Sequence, residues 1–140
     1  MYSAAEAAFL QLQRTAGRLM TGVEAALKPY GLTHTQYNVL RILRGAGADG
    51  RPCGEIAGDM IHRDADMTRL LDRLEKQGWV KRSRSAADRR VVTAQITRAG
   101  LALLAQLDAP VTAAAEGAMG GLTPAQLERL VNLLGRLGIS

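Results

Sequence analysis

The sequence of 140 residues predicts a mainly α-helical fold carrying one small β-hairpin. Three observations predict it. First, Met67, Leu70, Leu71 and Leu74 recur at helical spacing, with Arg69, Asp72, Arg73 and Lys76 opposite them and Gly78 as a closing residue. Second, the period changes just afterwards. Val80, Arg82 and Arg84 alternate with Lys81 and Ser83, and beyond a polar turn at 85–90, Val92, Ala94 and Ile96 share one face. Third, apolar residues recur at helical spacing on both sides of this segment. A helix followed by a basic hairpin is a shape that sets the helix in one groove of DNA and the hairpin in the next.

The elements follow in order. Residues 3–28 read as a long helix striped by Phe9, Leu12, Ala16, Leu19, Met20, Val23 and Leu27, ended by Pro29 and Gly31. So much apolar surface needs the domain's own core or a partner subunit to cover it. Thr33 with Gln36 three residues on is a capping box. It opens a second helix whose apolar side is Tyr37, Leu40, Ile42 and Leu43. Residues 45–52 read as a loop, with Pro52 at or just before a short helix over 53–60 that carries Glu55, Ile56, Ala57 and Met60 on one side. A tight turn at 61–63 leads into the helix of residues 64–76, giving a helix-turn-helix. After the hairpin, Thr97 caps a long helix with Leu101, Leu104, Leu107 and Val111, which Pro110 is expected to kink or split. Thr123-Pro124-Ala125-Gln126 is a second capping box, and its helix, striped by Leu127, Leu130, Val131, Leu134 and Leu137, runs to about residue 137.

Composition narrows the function. Hydrophobic residues are 47% of the chain, too many for a disordered one. No run approaches the roughly 18 apolar residues of a membrane span. No secretory signal is visible, so the sequence reads as a cytoplasmic protein with no membrane partner. Net charge is +5, and residues 81–98 hold six basic residues against one acid, so that window accounts for all of it. A local basic patch on a neutral body suits a phosphate backbone. Aromatic residues are 4%, and none follows Trp79 in the hairpin, so stacking platforms for single strands are missing and duplex DNA is favoured. There is no Ser/His/Asp or Cys/His constellation and no phosphate-binding glycine loop, so no enzyme and no cofactor is expected. Cys53 cannot form an internal disulfide, and with His34 and His62 it shows no ligand spacing for a metal; it reads as a packing or helix-start residue.

The residues Gly31-Leu32-Thr33, Gln36-Tyr37, Leu40, Glu55-Ile56-Ala57, residues 68–75, Gly78-Trp79-Val80, Asp88-Arg89-Arg90 with Ile96-Thr97, and Leu122-Thr123 to Leu127 together resemble the MarR family of bacterial transcription regulators. The resemblance spans nearly the whole chain. It implies a winged helix-turn-helix lobe at about 33–97 inside a single domain, 1–140, whose flanking helices at about 3–28 and 98–138 form a homodimer. Each lobe would take one half of a palindromic operator. Arg90 would enter the minor groove, and Asp88 would pair with arginines and brace the wing. The resemblance also implies a small, often aromatic and acidic, effector between the dimer region and the DNA lobe that weakens DNA binding. The chain departs from the pattern at Ile61, where Gly is usual, and at Ala65 and Asp66, where Ser or Thr is usual. Cys53 does not match the position of the family's redox cysteine.

The candidate DNA-binding residues are therefore Arg63, Asp64, Ala65, Asp66, Thr68, Arg69 and Arg73 on the recognition helix and Arg82, Arg84, Arg89 and Arg90 on the wing. A planar guanidinium fits the negative potential of a narrow minor groove, against the alternative of a solvated turn. Asp64 and Asp66 either cap the helix or accept from a cytosine amino group, capping being favoured. Asp88 is a wing brace or a plain turn residue. Tyr37 and His34 are candidate ligand-pocket residues, although packing explains Tyr37 equally well. The alternative function is a winged-helix protein-interaction module that does not bind DNA.

Overall fold

The computed structural model describes residues 1–61 and 66–138. Helix α1 (Ala4–Leu27) begins at a capping box the stripe alone does not reveal: Ser3 Oγ accepts from the Glu6 amide at 3.1 Å, and the Ser3 amide donates to the Glu6 carboxylate at 2.7 Å. Helix α2 (His34–Ala46) has the expected box, with Thr33 Oγ1 accepting from the Gln36 amide and Gln36 Oε1 accepting from the Thr33 amide. Its buried face is Tyr37, Val39, Leu40 and Leu43; Ile42 is only partly buried.

The loop expected at 45–52 is more ordered than its composition suggests. A 3₁₀ turn, Gly47–Asp49, leads into a two-residue strand, β1 (Arg51–Pro52), which pairs antiparallel with the later strand across Arg51↔Ala94 and Pro52↔Thr93. Two residues are too few for alternation to register, and a proline suits an edge. Helix α3 (Cys53–Asp59) buries Ile56, and Met60 follows it into the core. Glu55, grouped with the apolar side in the sequence, is instead paired with Arg51 at 3.1 Å.

Helix α4 (Met67–Lys76) buries Leu70, Leu71 and Leu74 and starts later than residue 64: Asp66 is its cap, accepting from the Arg69 amide at 3.2 Å. Gly78 closes it with φ of 79°, the left-handed conformation that glycine adopts without strain. Strands β2 (Val80–Arg84) and β3 (Val92–Ile96) pair from Val80↔Ile96 to Arg84↔Val92, so the sheet order is β1-β3-β2 with β3 central. Thr97 caps helix α5 (Arg98–Ala118) and also donates to the Gly78 carbonyl at 2.6 Å, pinning the hairpin root to the helix start. At Gly100 a Cβ would strike the Trp79 carbonyl, so the approach there requires glycine.

Pro110 does not split α5, which is one helix through to Ala118. The carbonyl left without its donor belongs to Gln106, an exposed residue. Helix α6 (Pro124–Arg136) starts at the expected capping box of Thr123 and Gln126.

One core joins Leu27, α2, Ile56, α4, Val80, Ala94, Leu104 and Leu107. Each fully buried leucine contributes roughly 1.5–3 kcal/mol relative to an exposed one. The two ends of the chain contribute little to it. Helix α1 buries only Leu27, and α6 buries nothing. Phe9, Val131 and Leu137 are each more than 60% exposed in the single chain. No helix of the described residues is long and apolar enough to cross a membrane.

Candidate nucleic-acid interface

Three leucines press α4 into the core, and this turns Thr68, Arg69, Arg73 and Lys76 outward. Arg69 and Arg73, one turn apart, border a shallow hollow with Thr35, Asp66 and Leu70. Arg63, Asp64 and Ala65 lie outside the described residues, as does His62.

The wing is braced from inside. Arg82 does not face solvent with the other wing arginines. Its side chain is 24% exposed and is held by Asp72 and by Glu75 at 3.2 Å, both on α4, while the Glu75 carboxylate also accepts from the Arg82 amide at 3.0 Å. The Glu75 bond, then the Asp72 bond, raise the Arg82 pKa further, so this cation stays charged and stays at home. Arg84 donates to the Arg89 carbonyl at 2.9 Å, and Ser85 Oγ accepts from the amides of Ala87 and Asp88. Asp88 accepts from Arg90 through Nε and Nη2 at 3.1 Å each and from the Arg90 amide at 3.1 Å. Those bonds, the side-chain ones first, hold its carboxyl below the usual carboxylate range. Arg90 is aimed by Asp88 yet 91% exposed, and Arg89 beside it is also exposed.

The clamp between α4 and the wing has a pH signature. Arg82 lowers the folded-state pKa of Glu75 below its ordinary 4.5. The stabilisation is therefore complete above that value and is lost as pH falls through the lowered one. Glu75→Gln is expected to reduce unfolding stability at neutral pH by under about 1 kcal/mol, because the pair is partly solvated. In acid well below pH 4.5 the two proteins should match. Urea titrations at both pH values check this; an equal deficit at both would mean that the charge is not responsible.

Beside the lobe lies a cavity of about 270 Å³ between α1, α2, the end of α3 and α5. His34 and Tyr37 line it, as do Asn38, Arg41, Met60 and Ile61. Sequence reasoning missed Asn38 and Arg41, although His34, Asn38 and Arg41 recur at helical spacing on the side of Tyr37. The Arg41 guanidinium lies 5.8 Å from the Tyr37 ring centroid. His34 Nδ1 is 3.0 Å from Glu24 of α1. A second, apolar groove of about 510 Å³ runs between α1, the end of α5 and α6, lined by Leu12, Leu19, Met119, Leu122, Leu130 and Leu134. Cys53 is half-buried, and burial raises its pKa, which does not favour a reactive thiolate. Among the described residues, no group of three or more His, Cys, Asp or Glu is placed to hold a metal.

Comparison with known proteins places this geometry. The MarR family model matches residues 32–92, the segment from the start of α2 to the wing. An HTH-type transcriptional repressor of Mycobacterium bovis is 32% identical over 127 residues, covering 91% of this chain and 90% of that protein. The crystal structure of a MarR transcription factor from Planctomyces limnophilus is 37% identical, covers 96% of this chain and 97% of its own, and superposes with a TM-score of 0.74. CouR from Rhodococcus jostii RHA1, solved bound to p-coumaroyl-CoA, is 25% identical over 98% of this chain and 95% of its own, with a TM-score of 0.80. A winged lobe with outward cations on α4, a last helix outside the core and relatives matched over nearly their full length lead to one conclusion: the chain belongs to the MarR family of winged helix-turn-helix, DNA-binding transcription regulators, and is not an enzyme.

Proposed function

We propose that the protein is a homodimeric repressor that binds a palindromic operator and releases it when a small anionic aromatic ligand enters the cavity beside Tyr37. The observation that carries the DNA half is the division of labour among the cations. Arg82 and Arg90 engage three of the lobe's acids, Asp72, Glu75 and Asp88, while Arg69, Arg73, Arg89 and Arg90 face outward on α4 and the wing tip. The outward field of the lobe is then positive, as a phosphate backbone requires. Arg69, Arg73 and Thr68 contact the major groove or its phosphates, with Arg63, Asp64 and Ala65 ahead of them in sequence. Arg89 and Arg90 take the minor groove. Asp66 caps, Asp88 aims Arg90, and Arg82 and Arg84 serve as braces of the wing.

The uncovered surfaces of α1 and α6 support the dimer, with the 33–97 lobe projecting from it. Two protomers would set their α4 helices about 34 Å apart, one helical turn of DNA. The cavity's size suits a small ligand, and Arg41 over Tyr37 offers a cation beside an aromatic face. CouR's p-coumaroyl-CoA supports an aromatic acyl or acid ligand for this fold. The interaction-module alternative has no outward acidic or apolar wing in its favour.

Fluorescence-anisotropy titration with the DNA immediately upstream of its own gene tests the reading. If the dimer contacts about eight phosphates, log Kd against log salt should have a slope of magnitude near 7. Binding indifferent to salt and to sequence would overturn it.

A further inference from the structure

We propose that Asn38 is a positioning residue that couples the cavity to the recognition helix. Its carboxamide Oδ1 accepts a hydrogen bond from the Ile61 backbone amide at 2.9 Å, across 23 residues of sequence. Helix α3 ends at Asp59, and the Met60 amide closes back on the Ala57 carbonyl. Ile61 is therefore the first amide beyond α3's own bonding, and a side chain of α2 holds it. Five residues later Asp66 caps α4. This bond fixes where the chain leaves α3 on its way to the recognition helix.

The same two residues form part of the cavity wall. Asn38 and Ile61 both line it, with Met60 between the cavity and the core. A guest that displaces the Ile61 amide from the Asn38 oxygen, or presses on the wall at Met60 and Ile61, loosens the tie at the end of α3. An occupied cavity and an intact Asn38–Ile61 bond thus compete at one wall. The effector half of this inference rests on reading the cavity as the ligand site; the positioning half does not.

Two substitutions separate the bond from the volume. Asn38→Leu keeps the size and removes the acceptor, whereas Asn38→Asp keeps the acceptor. In Asn38→Leu, hydrogen exchange at the Ile61 amide should accelerate, and specific operator affinity should fall by about tenfold, the worth of one hydrogen bond. Binding to random-sequence duplex should not change, because the outward arginines are untouched. Asn38→Asp should stay close to wild type in both readouts. Unchanged Ile61 exchange in Asn38→Leu would overturn the positioning role. A wild-type protein that fails to distinguish operator from random duplex would instead sink the operator reading, while the exchange measurement still decides the role of Asn38.

Coupling is tested by filling the cavity covalently. In a Cys53→Ser/Ala115→Cys protein the single thiol lies on the cavity wall, and N-phenylmaleimide supplies a ring there. The label should speed Ile61 exchange and lower operator affinity when Asn38 is present, and should add nothing further in the Asn38→Leu background. No effect of the label, or an equal further loss in both backgrounds, would overturn the coupling.

Discussion

Replacing Arg90 with alanine is expected to weaken operator binding by about a hundredfold. One arginine contact in a protein–DNA interface is worth roughly 1–3 kcal/mol, and a dimer loses two of them at once. Even near the low end, about 1.4 kcal/mol per protomer, the product is a hundredfold in Kd. The substitution should do little to the fold, because the Arg90 side chain is 91% exposed and, among the described residues, its ion pair is with a local carboxylate. Arg90→Lys should recover part of the loss, restoring charge without the planar fork that Asp88 aligns. Anisotropy titrations of the three proteins at one salt concentration decide it. Affinity within twofold of wild type in Arg90→Ala would remove the wing tip from the interface.

The second large effect concerns assembly. Leu134→Asp is expected to convert the proposed dimer to a monomer at micromolar concentration. Leu134 lines the apolar groove with Leu12, Leu19, Leu122 and Leu130, on a helix that buries no residue within its own chain. A second copy covering that groove would have to bury an unpaired carboxylate from each protomer, at a cost of several kcal/mol apiece. The monomer itself should still fold, because the core runs through α2, α4, Leu104 and Leu107 and does not include α6. Light scattering should therefore report half the mass while the far-ultraviolet circular dichroism stays nearly the same. Operator affinity should fall with it, since linking two half-site binders is worth a factor of about 10²–10⁴. A variant that remains dimeric and binds operator normally would show that another surface makes the dimer.

Local rules written in neighbouring residues carried most of the elements. The capping boxes at Thr33 and Thr123, the Thr97 cap, the Leu70, Leu71 and Leu74 stripe and the alternation at 80–84 and 92–96 are all local, and the structure has each of them. So is the concentration of charge at 81–98, which points to nucleic acid. His34 and Tyr37, the ligand-pocket candidates of the sequence, stand on the wall of the cavity beside α2.

What the tertiary structure decided are the relations between residues far apart in the chain. Strand β1 exists only because β3 offers it a partner 43 residues on, at Arg51↔Ala94. Arg82 is an ordinary basic wing residue in sequence; the crossing of α4 over β2 turns it into a clamp on Asp72 and Glu75. Pro110 is a helix breaker by local rule, yet α5, which packs along α1, runs through it, and the carbonyl that loses its donor belongs to the exposed Gln106. Asn38 and Ile61 meet only once α2 and the end of α3 are laid side by side. Propensity and periodicity act over a few residues, so the sequence by itself determined the elements and their charge. Which side chains meet depends on how those elements cross, and that is set by the one way the shared core can close.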